Sequence, residues 1–227
     1  MLFNRAALLA AAAAISYASP VLASNDNQLW TSGGATVKLS EKFRLSQEAT
    51  ARFSDTRRGL YQIEINTLLG YRLSKKVTVW AGYTHDRNYA AGNFIITEHR
   101  AREQITFDSF ARIGPAVISG RLRLEQRWRE GIGGTGWRVR PNVKLTLPLR
   151  KDRKTAFVLN HESFVNLNTT AFQRVEGFDR MRNLAAINTP LAKNIALEVG
   201  YLHQRGFVRG GDDSNDHVAS FALNFSF

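Results

Sequence analysis

The chain has 227 residues, with 31 Lys and Arg against 19 Asp and Glu, no Cys and a formal charge of +12. The lack of cysteine excludes a disulfide-stabilised scaffold, a thiolate metal site and a cysteine nucleophile. Because 44% of the residues are hydrophobic, the chain is too apolar for a disordered protein. The length suits one sizeable domain, and the charge suggests an anionic partner.

The first 23 residues have the composition of a secretory signal peptide. Arg5 gives a positive start, residues 6–14 are apolar, and Ala23 ends a compact cleavage site. The apolar run is too short for a membrane helix. We therefore predict a cleaved signal peptide at 1–23 and a single domain at 24–227. Export from the cytoplasm argues against a nucleic-acid partner despite the positive charge.

The remaining chain alternates between polar and apolar residues with the period of two that is typical of β-strands. Over 137–147 the odd positions are apolar, while the even positions are Arg, Arg, Asn, Lys and Thr. In chain order, the pattern predicts eleven strands at 29–39, 42–54, 59–73, 76–87, 95–107, 116–129, 136–148, 154–166, 179–190, 194–206 and 216–227.

The number of strands conflicts with a general rule, because bacterial barrels normally have an even number. We expect twelve strands, with residues 28–30 starting an additional short strand. The alternative is ten strands, with the first segment outside the closed sheet.

Strand length and loop length indicate where the barrel resides. Many predicted strands have eleven or more residues, whereas a tilted strand needs about nine to eleven to cross a bilayer and soluble strands average about five to six. Short connections at 40–41, 74–75, 150–153 and 192–193 alternate with longer ones at 54–58, 88–94, 130–135, 167–178 and 206–215. This pattern predicts an all-β, antiparallel transmembrane barrel in the bacterial outer membrane, with short periplasmic turns and longer extracellular loops. A soluble barrel with its apolar face inside would show the same periodicity.

Two residues fit this scheme poorly. Glu103 shares the apolar, lipid-facing side of its strand, where a carboxylate is costly. A bulge there, or a position near the membrane interface, would remove the conflict. Pro141 cannot donate a ladder hydrogen bond and suggests a second bulge.

The last strand ends with Phe225 and Phe227 on its apolar face. A terminal aromatic strand of this kind resembles the signal read by the outer-membrane insertion machinery, so we assign these two residues an assembly role. The other expected partners are outer-membrane lipid and lipopolysaccharide, and the expected oligomeric state is a monomer.

The sequence resembles the bacterial outer-membrane β-barrel family known as domain of unknown function 2490. The resemblance covers essentially the whole predicted domain and offers no activity to transfer, but it implies the barrel. It rests on Gln28-Leu-Trp30, Lys38-Leu-Ser-Glu-Lys42, Glu98-His-Arg100, the segment from Arg121 to Arg127, Gly200-Tyr201 and the aromatic last strand.

Charged residues dominate the face that we assign to the lumen. A basic excess would attract small anionic solutes, and guanidinium groups suit carboxylate or phosphate. We therefore predict a porin-like, anion-selective channel. The alternative is a narrow barrel plugged by Arg–Glu pairs, with a structural role or a role in contacting lipopolysaccharide. The candidate lumen residues are Arg100, Arg102, Arg121, Arg123, Arg127, Arg138, Arg140, Lys144, Glu98 and Glu125.

An enzyme is the less favoured hypothesis. An outer-membrane lipid hydrolase or acyltransferase needs a Ser and a His that face lipid, and His161 and Ser163 share one face of a predicted strand. The sequence contains no Gly-x-Ser-x-Gly element and shows no acid that would orient the histidine. We predict no catalytic residues and no cofactor. We also predict no metal site, because no cluster of His, Asp and Glu has the spacing of metal ligands.

Overall fold

A computed structural model describes residues 24–150 and 154–227, so the predicted signal peptide lies outside the described residues. Each strand pairs with its sequence neighbours, and the sheet closes into a barrel. The strands are β1 (Ser24–Lys38), β2 (Phe43–Ser54), β3 (Gly59–Arg72), β4 (Val77–Ala90), β5 (Asn93–Ile113), β6 (Ala116–Arg129), β7 (Ile132–Pro148), β8 (Ala156–Asn166), β9 (Gly177–Ala192), β10 (Ile195–Gly206) and β11 (Ser214–Ser226).

The barrel closes with an odd number of strands because its first and last strands are parallel. β1 pairs with β11 from Ser24↔Ser214 to Thr36↔Ser226, while the other pairs are antiparallel. The prediction of twelve strands is wrong, because residues 28–30 lie within β1. The alternative of ten is also wrong, because the first segment belongs to the closed sheet. The even-number rule holds only where every pair, including the closing one, is antiparallel.

The connections at the two ends of the barrel differ less in length than the sequence suggests. We call the end with connections 39–42, 73–76, 114–115, 149–155 and 193–194 the turn end, and the opposite end the loop end. The predictions of longer loops at 88–94 and 130–135, both at the loop end, are wrong. The strands continue there and are joined by two-residue turns, in which Ala91, Gly92 and Gly131 have positive φ angles. Only 167–176 and 207–213 are clearly long loops at this end of the described chain.

The outer wall is apolar and the interior is polar. Large apolar side chains such as Leu69, Leu122 and Phe221 are exposed on the outside, each by more than 40%. Inside, Thr84 and Asp86 are fully buried. The inner apolar core among the described residues is small and consists of Trp30, Leu202 and Val218, with Leu184 packed against it. The described residues include no helix long and apolar enough to span a membrane.

Neither of the two bulges considered in the sequence is present in the described strands. Glu103 pairs in regular register with Ala81 and Leu124, and its carboxylate lies 3.4 Å from the Gln126 amide on the outer wall. The irregularity in β5 lies farther along, between positions 107 and 111. At Pro141 the β7–β8 ladder is interrupted, but its register is the same on both sides.

The C-terminal residue continues the closing seam. The Phe227 N–H donates to the Thr36 carbonyl at 2.9 Å, and the Lys38 N–H donates to the Phe227 carbonyl at 2.8 Å. Phe227 itself is 64% exposed. Phe227 therefore joins β11 to β1 through its backbone, while its side chain is exposed.

Candidate functional site: the charged lumen

The charged side chains of the lumen come from alternate positions on neighbouring strands. Because every second residue of a strand points inward, the register decides which charges meet. Arg102 on β5 lies opposite Glu125 on β6, which lies opposite Arg138 on β7. The structure places eight of the predicted lumen residues in one buried cluster: Glu98, Arg100, Arg102, Arg123, Glu125, Arg127, Arg138 and Arg140.

Glu98 forms one end of this cluster and is only 1% exposed. Its carboxylate accepts hydrogen bonds from Arg100 Nε at 2.7 Å, Arg127 Nε at 2.9 Å and Arg129 Nε at 2.7 Å. Three guanidinium groups therefore share one buried carboxylate. Pairing of this kind is what makes a buried ion energetically tolerable.

Arg100 and Arg102 extend the cluster across the lumen. Arg100 donates through Nη1 to Glu64 Oε2 at 3.0 Å and also pairs with Asp86. Arg102 Nη2 donates to Glu64 Oε1 at 3.0 Å, and Arg102 Nε lies 3.2 Å from Glu125 Oε1. The two arginines thus connect the carboxylates of β3, β4 and β5 to that of β6.

Glu125 and Glu162 extend the network of ion pairs from β6 through β7 to β8. The fully buried Glu125 carboxylate accepts from Arg138 Nη2 at 2.5 Å and from Arg140 Nη1 at 2.7 Å. Arg140 uses its other terminal nitrogen to donate to Glu162 Oε2 at 2.8 Å. We call the series Glu98–Arg100–Glu64–Arg102–Glu125–Arg140–Glu162 the ion-pair chain.

The ion-pair chain joins side chains of β3, β5, β6, β7 and β8, and the lumen also contains two cavities. Replacing a paired buried ion by a neutral group leaves its partner uncompensated, which costs about 3–5 kcal/mol. The members of the ion-pair chain therefore depend on one another for charge compensation. The plugged alternative considered from the sequence requires pairing of this kind.

A loop contributes to the buried cluster from the loop end. Gln173, in the 167–176 connection, is 3% exposed and accepts a hydrogen bond from Arg127 Nη1 at 3.0 Å. Its amide nitrogen donates to the Trp137 and Asn168 carbonyls at 3.0 and 2.9 Å. Phe172 stacks against the Arg129 guanidinium, with 5.0 Å between that group and the ring centroid. This loop therefore folds over one side of the cluster.

The cavity on the loop side has a volume of about 430 Å³, and we call it the loop-side chamber. Among the described residues it is lined by four carboxylates, from Asp26, Glu64, Glu98 and Asp216. Its arginines are more numerous, which makes the chamber a focus of positive potential. They are Arg52, Arg57, Arg100, Arg127, Arg129, Arg138, Arg140, Arg180 and Arg182.

Two arginines of this chamber are poorly compensated. Arg180 makes no ion pair or side-chain hydrogen bond with the described residues, and its buried Nε has no partner among them. Arg182 donates to Gln204 at 2.7 Å, but its nearest carboxylate, Glu162, is 3.9 Å away. Both guanidinium groups lie over the Phe164 ring, at 5.9 and 4.7 Å. Aromatic support holds these cations in position without neutralising them.

The cavity on the other side has a volume of about 530 Å³, and we call it the turn-side chamber. It holds the two remaining predicted lumen residues, Arg121 and Lys144, together with Glu48 and Glu198. Arg121 pairs with Glu162 and so touches the edge of the ion-pair chain. The balance of charge here is less basic than in the loop-side chamber.

Asp86, Arg180, Arg182 and Gln173 are among the lumen residues that the sequence analysis did not single out. The first three lie within predicted strands at the inward parity, so parity could have identified them. Gln173 could not be found in this way, because it reaches the lumen from a loop without periodicity. Strand register determined which charged side chains of neighbouring strands became partners.

Comparisons with known proteins confirm the family resemblance. An uncharacterised protein of Methylorubrum extorquens is 26% identical over 216 residues, which cover 95% of this chain and 92% of the relative. Among solved structures, the siderophore receptor PirA from Pseudomonas aeruginosa shares 17% identity with a TM-score of 0.28. That match covers 75% of this chain and 32% of the receptor. Residues 27–215 match the DUF2490 family of proteins of unknown function, and the chain belongs to that family.

Proposed function

We propose that the chain is an outer-membrane barrel, closed to free diffusion, that binds an anionic group in its loop-side chamber. Support for membrane residence comes from the outer wall, where Ile65, Leu69, Val143 and Leu223 are each about 40–50% exposed. Soluble monomers rarely expose large contiguous apolar surfaces. In a bilayer, these side chains would face hydrocarbon, and the closed sheet would satisfy the backbone.

The ion-pair chain supports a closed lumen. An open pore would leave its arginines and carboxylates in contact with a continuous water column. Here Glu98, Arg102 and Glu125 are each 1% exposed or less. Passage of a solute would therefore require several buried pairs to separate at once.

The anion-binding role rests on one observation, the weakly compensated pair Arg180 and Arg182 in the loop-side chamber. Neither guanidinium has a carboxylate within hydrogen-bonding distance among the described residues. Guanidinium groups bind carboxylate and phosphate through paired, charge-assisted hydrogen bonds. At about 430 Å³, the chamber suits a small polyanionic solute or the charged end of a larger one.

Binding of a small polyanion tests this proposal. We expect the purified barrel in detergent to bind citrate or inorganic pyrophosphate, as measured by calorimetry. The double variant Arg180→Gln and Arg182→Gln should bind at least about tenfold more weakly, because each charged hydrogen bond contributes about 1.5–3 kcal/mol. Lys144→Gln removes a charge from the turn-side chamber and should leave the affinity unchanged.

Planar-bilayer recording tests closure separately. We expect the wild-type barrel to show no steady ohmic current. A steady anion-selective current would instead favour the open channel, and failure of either polyanion to bind would contradict the role of the chamber.

A further inference from the structure

The outer wall carries a hydrogen-bonded group of three polar residues that takes no part in the lumen. His161 and Ser163 are two positions apart on β8, and Asn183 lies directly opposite His161 on β9. His161 Nε2 is 3.0 Å from Ser163 Oγ, and His161 Nδ1 is 2.7 Å from Asn183 Oδ1. These distances make a continuous Ser–His–Asn relay.

The partners determine the protonation pattern of the imidazole. Because the amide oxygen of Asn183 can only accept, His161 Nδ1 must carry the hydrogen of that bond. The neutral ring then presents Nε2 as an acceptor to the Ser163 hydroxyl. A base aimed at a serine hydroxyl, with its second nitrogen held by a third group, is the arrangement that activates serine nucleophiles.

The surroundings indicate the kind of substrate. Leu159 on the same strand face is 44% exposed, Ile187 on β9 is 41% exposed, and Val143, opposite His161 on β7, is 49% exposed. Ser163 lies three positions before the loop end of β8. The relay is therefore set in an apolar wall near one rim of the barrel, where an acyl chain could lie along the sheet with its ester bond beside Ser163.

Other histidines of the outer wall have different partners. His99 and His217 are bonded through Nδ1 to the hydroxyls of Tyr83 and Tyr201, respectively. Neither makes a described side-chain hydrogen bond to a serine. These pairs resemble ordinary interfacial aromatic contacts, whereas His161 is bonded to an aliphatic hydroxyl that can act as a nucleophile.

We propose that Ser163 and His161 are the catalytic residues of a serine hydrolase that cleaves ester-linked acyl chains of outer-membrane lipids, and that Asn183 is the positioning residue. The activity goes beyond the anion-binding role and relies only on the membrane location proposed above. The sequence alone offers this hypothesis little support, because it shows no orienting acid. The β8–β9 register supplies Asn183 as the missing third group.

The reaction proceeds in two balanced steps. Ser163 Oγ attacks the ester carbonyl carbon while His161 Nε2 takes the hydroxyl proton, and the same proton then passes to the departing lipid alcohol as its C–O bond breaks. A water molecule, deprotonated by His161, attacks the acyl-serine, and the proton returns to Ser163 Oγ. The products are a free fatty acid and a lipid with one acyl chain fewer.

Two measurements on the full-length folded protein test the proposal. Labelling by a fluorophosphonate probe in detergent, located by peptide mass spectrometry, reports whether Ser163 is a nucleophile. Fatty-acid release is measured separately from phosphatidylethanolamine vesicles and from purified lipopolysaccharide, so that the two sources of acyl ester are distinguished. Heat-modifiable gel migration confirms that each variant is folded.

We expect labelling at Ser163 and release from at least one lipid. Ser163→Ala should abolish both, and His161→Gln should lower release by about 10³-fold or more. Asn183→Ala should lower release, while Asn183→Asp should restore much of it, since a carboxylate can hold the same Nδ1–H. Restoration separates positioning from a merely structural role.

His217→Gln is the matched control, because it removes an outward histidine bonded to tyrosine rather than serine, and it should retain full activity. A folded wild-type barrel that neither reacts with the probe nor releases fatty acid from either lipid would overturn the proposal. Activity that persists in folded Ser163→Ala would do the same. Neither result depends on polyanion binding in the loop-side chamber, so the two proposals can fail independently.

Discussion

The substitution Glu125→Gln tests the ion-pair chain at its centre. The wild-type carboxylate is fully buried and accepts from Arg138 at 2.9 and 2.5 Å and from Arg140 at 2.7 Å. It is also the nearest carboxylate to Arg123, at 3.7 Å. Glutamine preserves the shape of the side chain but removes the charge that these cations share.

The expected loss of stability follows from the uncompensated cations. Removing one partner of a buried ion pair costs about 3–5 kcal/mol. With a urea m-value of about 2–3 kcal/mol/M, the unfolding midpoint should fall by about 1–2.5 M. The barrel would be folded into lipid vesicles and its unfolding followed by tryptophan fluorescence. Repulsion among the released arginines should also produce current bursts in planar bilayers.

Glu48→Gln is the control for this substitution. Glu48 lines the turn-side chamber, and among the described residues it makes no ion pair and accepts only from Asn66 Nδ2 at 3.1 Å. Its neutralisation should change the unfolding free energy by less than about 1 kcal/mol. If Glu125→Gln shifted the midpoint no more than Glu48→Gln and gave no current, the ion-pair chain would not be the barrier that we infer.

Two further predictions concern assembly. Deleting Phe227 removes its two backbone hydrogen bonds to β1, one of them to Thr36. Together these bonds contribute about 1–3 kcal/mol. The deletion should therefore sharply reduce the folded fraction on heat-modifiable gels. Phe227→Leu keeps those bonds, so a loss of assembly in this variant as well would assign the effect to the aromatic ring. Normal assembly of the deletion variant would contradict the role of the seam. Gly200→Val should block folding, because a Cβ at this position would lie 2.5 Å from the Ala185 carbonyl oxygen. Gly33→Val, with nothing within 4 Å, should fold normally, and equal folding of the two valine variants would contradict the steric argument.

The strand number shows what the local sequence pattern can predict and what it cannot. Period-two alternation locates all eleven strands of the described chain, because inward and outward positions differ so strongly in polarity. The even-number rule then favours twelve, and that choice is wrong. Whether β1 meets β11 in a parallel or an antiparallel direction is a property of closure, and no residue in either strand specifies it alone.

The sequence by itself determined which face of each strand is charged and which is apolar, since alternation is a local property of the chain. Only the tertiary structure decided which charges pair. Arg102 meets Glu125, whereas Arg180 has no carboxylate within ion-pair distance among the described residues, because those contacts depend on register between strands. The same reason applies on the outer wall. His161 and Ser163 were visible as neighbours in sequence, but Asn183 lies 22 positions from His161 and reaches it only through the pairing of β8 with β9.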